Sequence, residues 1–321
     1  MAAIHVRLGT RKSALAQAQA RWVAEQLRAS CPGLSVEFVL ITTTGDLSDA
    51  SARIPEVNPL PVDGLQRRPA SRGGLKSLFT KEIEEALLDN RIDLAVHSLK
   101  DMAAEIPRGL LLAAVPARED PRDVWISKRK GSFQDLSLGA TVATSAIRRQ
   151  AQVRHQHPAV EFVALRGNVD TRLKKLEICE WDGMILALAG LKRLGREAVA
   201  TEILSLDVML PAIGQGALAI EARAGDTAVL EVVKSIDDPD SHLAVRAERA
   251  FLKTLGGSCQ TPIAAYAQVS GDLLTLQGLV VDPSGNPYLK ASEAGSANNP
   301  EAIGQYLATA LLGRGADKIL K

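Results

Sequence analysis

Ala140-Thr141-Val142-Ala143-Thr144 is a run of small and β-branched residues that leads into Ser145-Ala146-Ile147-Arg148-Arg149-Gln150. The first five residues read as a strand and the run from Ala146 to about Gln156 as a helix. The order then repeats, with strands at Glu161–Leu165 and Met184–Leu188 and helices over about Val169–Glu177 and Leu191–Ala200. It also appears upstream. Ile4–Leu8 reads as a strand, Ser13 caps a helix to about Ala29 that Pro32-Gly33 closes, and Ser35–Thr43 is a second strand. A helix over Ser77–Leu88 leads into a strand at Ile92–Val96. Strands alternating with helices require right-handed crossovers and a mainly parallel sheet, so the fold class is α/β, doubly wound, in two units.

Pro116–Pro121 reads as the crossover from the first unit to the second and Leu210–Gly216 as the return, a pair that makes a hinge. The last part changes character. An amphipathic helix over Ser241–Leu255 ends at Gly256, and strand-like runs follow at Ile263–Val269, Leu273–Val281 and Tyr288–Ala294. With a last helix at about Glu301–Leu312, this is a C-terminal α+β domain with a three-stranded antiparallel sheet. The expected division is 1-116 with 217-236, then 117-216, then 237-321. The proline-rich stretch over about 47-74, with Arg67, Arg68 and Arg72, is expected to be a loop.

Bulk properties narrow the function. A net charge of +1 provides no global field for a polyanion, and an aromatic fraction of 3% provides no stacking platform, so nucleic acid is not the expected partner. No run of eighteen apolar residues is present, so no membrane span is expected. The N-terminus enters a strand pattern directly, without the apolar core of a signal peptide, and a cytoplasmic location is expected. Cys31, Cys179 and Cys259 have neither disulfide nor metal-ligand spacing, so no metal is expected.

In open parallel sheets ligands bind beyond the carboxyl ends of the strands. Nearly every such end here carries a cation. Arg11 and Ser13 follow the first strand, and His97, Ser98, Lys100 and Asp101 follow Ile92–Val96. Ser145, Arg148 and Arg149 follow Ala140–Thr144, and Arg166, Gly167 and Arg172 follow Glu161–Leu165. Lys192 and Arg193 come after Met184–Leu188. The planar fork of arginine matches carboxylates, so the ligand is expected to carry many of them. Phosphate is the other anion these residues suit, but no P-loop or GxGxxG is present. Asp101 is the one carboxylate among these cations; a helix cap or structural ion pair remains the other reading of it. Cys259, in Gly256-Gly257-Ser258-Cys259-Gln260, sits on a glycine-softened turn that leaves room around its sulfur.

These motifs resemble the porphobilinogen deaminase (hydroxymethylbilane synthase) family along nearly the whole chain. Arg11-Lys12-Ser13, Phe79-Thr80-Lys81-Glu82, Ala95–Asp101, Arg118–Asp123 and Thr144–Gln150 carry the resemblance in its first half. Leu165–Leu173, Ala189–Leu194, Pro211–Gly216, Ala247–Ala250 and Gly256–Gln260 carry it in the second, in family order. The resemblance implies two α/β domains like those of periplasmic binding proteins flanking a cleft, and a third domain that carries the cofactor. It implies head-to-tail joining of four porphobilinogen molecules into hydroxymethylbilane on a dipyrromethane held by Cys259 through a thioether, in a monomer. By motif position, Asp101 is catalytic. Lys100, Ser13, Lys81, Thr144, Ser145, Arg148, Arg149, Arg166, Gly167 and Arg172 contact the cofactor, and Arg11, Gln19, Arg149, Arg172 and Arg193 contact porphobilinogen or the growing polypyrrole. Gln17 and Ala18 depart from the family's first helix, and the segment from Ser48 to about Arg72 exceeds the family's usual mobile loop. That segment is expected to gate the cleft. The alternatives are a periplasmic-type anionic-ligand binding protein without catalysis, and a thiol hydrolase pairing Cys259 with His97 or His155.

Overall fold

The computed structural model describes residues 4–46, 79–258 and 261–320. The loop expected at 47-74 and Cys259, expected to hold the cofactor, lie outside the described residues.

The first sheet begins with β1 (His5–Arg11), which enters helix α1 (Ala14–Ser30) through Ser13; the Ser13 hydroxyl accepts from the Ala16 N–H. Strand β2 (Ser35–Ile41), helix α2 (Lys81–Leu88), β3 (Leu94–Ser98) and β4 (Leu110–Ala114) follow. The second sheet contains β5 (Asp123–Ser127), β6 (Thr141–Ala143), helix α3 (Ile147–Gln156), β7 (Glu161–Val163), helix α4 (Val169–Ile178), β8 (Gly183–Ala187), the short helix α5 (Leu188–Lys192) and β9 (Glu202–Ile203). Strand β10 (Leu218–Arg223) then returns to the first sheet, between β3 and β4, and helix α6 (Thr227–Lys234) packs on it.

The two sheets share one topology. Their orders are β2-β1-β3-β10-β4 and β7-β6-β8-β5-β9. In each, a crossover delivers one strand antiparallel to its neighbours: β10 against β3 and β4, and β5 against β8 and β9. The strands on either side of these run parallel. The carboxyl ends of β1, β3, β6 and β8 therefore sit on the same edge of their sheets, where ligands of such sheets bind.

The third sheet is an antiparallel meander, β11 (Ile263–Ser270), β12 (Leu273–Val281) and β13 (Tyr288–Ser296). Helices α7 (Pro239–Leu255), α8 (Pro300–Gly313) and the short α9 (Ala316–Leu320) cover it, and Phe251, Leu274, Leu276, Leu307 and Leu311 form its core. Asp238 caps α7 by accepting from Ser241 N–H, and Gly256 ends it in the left-handed conformation at φ 67°. Gly304 lets α8 press on α7, because a Cβ there would stand 2.3 Å from the Ala247 carbonyl oxygen. The fold class is thus two mainly parallel α/β sheets with a C-terminal α+β unit.

Two sequence expectations need correction. The helix expected over Leu191–Ala200 is instead α5, which ends at Lys192, followed by a single 3-10 turn at Glu197–Val199. Gly195 at φ 63° stops the helix between them. Strands β4, β5, β9 and β10 were not anticipated. Leu218–Arg223 is buried on both faces and Leu110–Ala114 is apolar throughout and at least partly buried at every position, so neither run has the period-2 alternation that marks a half-exposed strand.

Buried polar bonds join the three sheets where the crossovers meet. Glu248 of α7 is fully buried and accepts from Arg118 Nη1 at 2.6 Å, Gly214 N–H at 2.6 Å and Ala267 N–H at 2.8 Å. One carboxylate thus holds the outgoing crossover, the return crossover and β11. Gly216 lets the two crossovers touch: at φ +90°, a Cβ there would stand 2.2 Å from the Glu119 carbonyl oxygen. Removing one partner of a buried ion pair leaves the other charge uncompensated, which costs about 3–5 kcal/mol. Glu248→Gln is expected to lose about that much stability in urea unfolding; a loss under about 1 kcal/mol would show that the three sheets are held by other means.

Candidate active site

A cleft of about 420 Å³ lies where the two parallel sheets and the third lobe meet, a size suited to a small organic ligand. The first sheet contributes Arg11 and Ser13 from the β1–α1 turn, and Lys100, Asp101 and Met102 from the 3-10 turn after β3. The second contributes Thr144, Ser145, Arg148 and Arg149 from the β6–α3 junction, with Gly167, Asn168 and Arg172 from the start of α4. Ala212, Ile213 and Gln215 come from the return crossover, and Arg249 and Ser258 from the third lobe. The segments at Ser13, Thr144–Arg149 and Gly167–Arg172 lead into helices, so free backbone N–H groups join the cations at the rim there.

Six cationic side chains line the cleft among the described residues (Arg11, Lys100, Arg148, Arg149, Arg172 and Arg249), against one carboxylate, Asp101. Their charge is partly balanced from behind. Asp123, the first residue of β5, is fully buried and takes both arginines of the α3 first turn: Arg148 Nη2 at 2.8 Å and Arg149 Nη2 at 2.7 Å. Burial pushes the Asp123 carboxyl up, but the two guanidiniums outweigh it and hold it well below the usual carboxylate range. Two positive charges on one negative leave the wall net cationic, and the fork of each arginine is fixed. Arg148 also donates to the Leu210 carbonyl at 2.6 Å and Arg149 to the Ile185 carbonyl at 2.9 Å. On the opposite wall Arg11 is clamped by Asp46 and lies 4.1 Å over the Phe79 ring. Burial lowers the Asp46 carboxyl's tendency to ionise, yet Arg11 and Thr43 outweigh it and lower its pKa.

Lys100 has no buried carboxylate of this kind bonded to it. Burial pulls its pKa down to about 8, against the opposing pull of neighbouring Asp101, and Arg149 lowers it further. Arg249 is likewise lowered by burial, and its Nη2 donates to the carbonyls of Ala103 and Ala104, which ties α7 to the chain just after Asp101.

The structure separates the residues expected at this site. Arg11, Ser13, Lys100, Asp101, Thr144, Ser145, Arg148, Arg149, Gly167 and Arg172 line the cleft. Gln19 stands just behind it, donating to the Ser98 hydroxyl at 2.9 Å, and lines an adjoining small cavity. Ser145 also bridges the ends of β6 and β7 by donating to the Leu165 carbonyl and accepting from the Leu165 N–H. Three expected residues are outside the lining. Arg166 is exposed, Lys81 is exposed beside Glu85, and Arg193 donates to the Gly216 carbonyl at 2.7 Å. Burial takes the Arg193 pKa down to about 10. His155 is remote from the cleft lining: it stacks on Tyr288 and bonds the Gly285 carbonyl, so it belongs to the contact between α3 and the third sheet.

Sequence reasoning gave no role to Asp123, Gln215 or Arg249. Asp123 lay inside a quoted motif, and an acidic residue opening a buried strand was the available sign. Gln215 donates from Nε2 to the Pro121 carbonyl and to Asp123 Oδ1, while its Oε1 is buried without a partner. A cleft with many cations, one carboxylate and an orphaned acceptor suits a ligand bearing several carboxylates and N–H donors. A dipyrromethane with acetate and propionate arms has that donor set, and Ser258, the neighbour of Cys259, lies in the lining. The residues present fit such a cofactor.

Comparison with known proteins agrees with this chemistry. Residues 6–231 match the family model described as porphobilinogen deaminase, dipyromethane cofactor binding domain, and residues 242–313 match the porphobilinogen deaminase C-terminal domain. The chain is 49% identical to the porphobilinogen deaminase of Syntrophotalea carbinolica, over 100% of this chain and 96% of that protein. It is 46% identical to the porphobilinogen deaminase of Moorella thermoacetica, over 99% of this chain and 96% of that protein. Among solved structures, the VFT2 domain of Bordetella pertussis BvgS aligns with a TM-score of 0.41 at 14% identity, over 72% of this chain and 86% of that chain. With both family models matched and near-half identity along its full length, the chain belongs to the porphobilinogen deaminase family.

Proposed function

We propose that this chain is a porphobilinogen deaminase, a transferase of tetrapyrrole biosynthesis. It joins four porphobilinogen molecules head to tail with loss of ammonia and releases hydroxymethylbilane by hydrolysis. The observation that carries this reading is Asp101, the single carboxylate among the described lining residues, held at a strand end in a cleft that also carries six cationic side chains. A dipyrromethane bound through Cys259 supplies the primer to which the first substrate is joined.

Arg11, Lys100, Arg148, Arg149, Arg172 and Arg249 bind acetate and propionate arms, and their number suits a ligand that gains two carboxylates with each pyrrole. The guanidiniums of Arg148 and Arg149 are already oriented by Asp123, so binding freezes little further side-chain freedom. Asp101 accepts from pyrrole N–H groups and stabilises the positive charge that develops as ammonia leaves porphobilinogen. Gln215 Oε1 offers a second acceptor on the opposite wall. Lys81, Arg166 and Arg193, which lie outside the cleft lining, reach the growing chain only when it extends beyond the cleft or when the two lobes move. The segment at 47-74 is proposed to gate the cleft, and the working unit to be a cytoplasmic monomer. Its proposed domains are 1-116 with 217-236, 117-216, and 237-321.

The intact mass of the denatured protein tests the chemistry directly. An added mass of two porphobilinogens less two ammonias is expected in the wild type and absent from Cys259→Ala. An unmodified wild type that stays so after incubation with porphobilinogen would favour an anionic-ligand binding protein instead. Asp101→Asn is expected to cut kcat by about 10²- to 10⁴-fold with KM for porphobilinogen changed only a few-fold. Since Lys100 is charged below about pH 8 and neutral above it, affinity for porphobilinogen should fall as pH rises from 7.5 to 9.5. Calorimetric titration of Lys100→Met should show a weaker binder without that step; an unchanged step would assign it to another group.

A further inference from the structure

A smaller cavity of about 60 Å³ adjoins the cleft behind Asp101, between the end of β3 and the first turns of α1, and is large enough to hold water. Asp101, His97, Ser98, Gln19 and Ser13 are among its lining residues. His97 is only 5% exposed, and its Nε2 lies 3.0 Å from Glu221 Oε2 on the neighbouring strand β10. Its other ring nitrogen has no protein partner among the described residues, and His97 is among the residues that line the cavity.

The surroundings of this pair are unusual for a structural contact. Glu221 is fully buried, and its Oε1 has no partner. From α2 comes the buried carboxyl of Glu84, whose pKa is raised by burial and by Glu221 and lowered by His97. Arg249 of α7 feels the charge of Glu221, and Arg11 of β1 faces the same cavity as Asp101. Two buried carboxyls and an imidazole are costly to desolvate. They are not needed to join β3 to β10, whose ladder already pairs Leu218 through Ala222 with Ser98 through Leu94. A buried carboxylate on one imidazole nitrogen fixes the orientation of a histidine for proton transfer, and His97 shares a water-sized cavity with Asp101.

We propose that His97, oriented by Glu221, relays protons for Asp101 through water held in this cavity. The inference rests on the deaminase reading. In each coupling the C–N bond of the porphobilinogen aminomethyl group breaks, and ammonia leaves with the bonding pair. A C–C bond forms between the freed methylene and a pyrrole α-carbon, and the α-carbon loses its proton while the C–H pair restores the ring. That proton passes to Asp101, then through water to the His97 imidazole, and finally to the departing ammonia as ammonium. Glu221 balances the imidazolium while it exists. His97 does not touch substrate, so it is a positioning residue: it returns Asp101 to the form that accepts the next proton.

The test compares wild type, His97→Gln, Glu221→Gln and Asp101→Asn as purified holoenzymes. kcat and KM for porphobilinogen are measured from pH 6 to 9.5, urea midpoints are recorded, and the His97 imidazole is titrated by NMR. In His97→Gln, kcat is expected to fall by about 10²-fold with KM within about 3-fold, and the acidic limb of the kcat profile to vanish while the urea midpoint holds. In the spectra, the His97 midpoint should move down in Glu221→Gln and shift in Asp101→Asn, because both substitutions remove a negative neighbour. A purely structural pair would leave the acidic limb in place and the His97 midpoint indifferent to Asp101; either result overturns the proposal. Should wild type fail to consume porphobilinogen, the deaminase reading falls by itself. The Asp101→Asn titration, which needs no turnover, then still decides whether the two groups are coupled. It also decides if His97→Gln does not fold.

Discussion

The arginine wall of the cleft depends on a chain of buried hydrogen bonds running through the two crossovers. It starts at Glu248 in the third lobe, passes to Arg118 of the outgoing crossover, and continues from Arg118 Nε to the carbonyl of Gln215 on the return. Gln215 then donates to Asp123, and Asp123 holds Arg148 and Arg149 at the cleft wall. The lobe that carries Cys259 and the wall that faces its ligand are thereby linked through charge-assisted bonds shielded from water. In that setting each bond is stronger than at the surface, and each broken one leaves an uncompensated charge.

The same chain resolves an electrostatic problem. A cleft for a ligand with many carboxylates needs several cations close together, and these repel one another in the empty protein. Asp123 and Asp46 offset that repulsion from behind, one under Arg148 and Arg149 and the other under Arg11, without entering the lining. Lys100 has no such carboxylate bonded to it among the described residues, and burial, with Arg149 nearby, lowers its pKa against the pull of Asp101. The cleft can therefore be locally positive in a chain whose net charge is only +1.

Much of the fold was readable in the residues. Ser13 and Gly256 mark helix ends by local chemistry, and the strand-like runs at Ile263–Val269, Leu273–Val281 and Tyr288–Ala294 are the three strands of the meander. Strands β4 and β10 were not readable, because Leu110–Ala114 is apolar throughout and Leu218–Arg223 is buried on both faces, so both lose the period that identifies a strand. The helix expected past Lys192 failed for a local reason: Gly195 adopts a left-handed conformation that a pattern of apolar residues does not reveal. Of the cations expected at strand ends, Arg11, Lys100, Arg148, Arg149 and Arg172 line the cleft, whereas Arg166 and Arg193 lie outside its lining, since following a strand in the chain does not settle which way a long side chain turns.

By itself the sequence determined the fold class, the family and the chemical types gathered at the site, because caps, periodicities and motif spacing act over a few residues. Only the tertiary structure decided which of those residues share a cleft and which charges already have partners. Asp123 meets Arg148 from 25 positions away and Glu221 meets His97 from 124 away. Contacts of that span form only when separate strands are brought side by side, and burial then sets the strength of the charges they join.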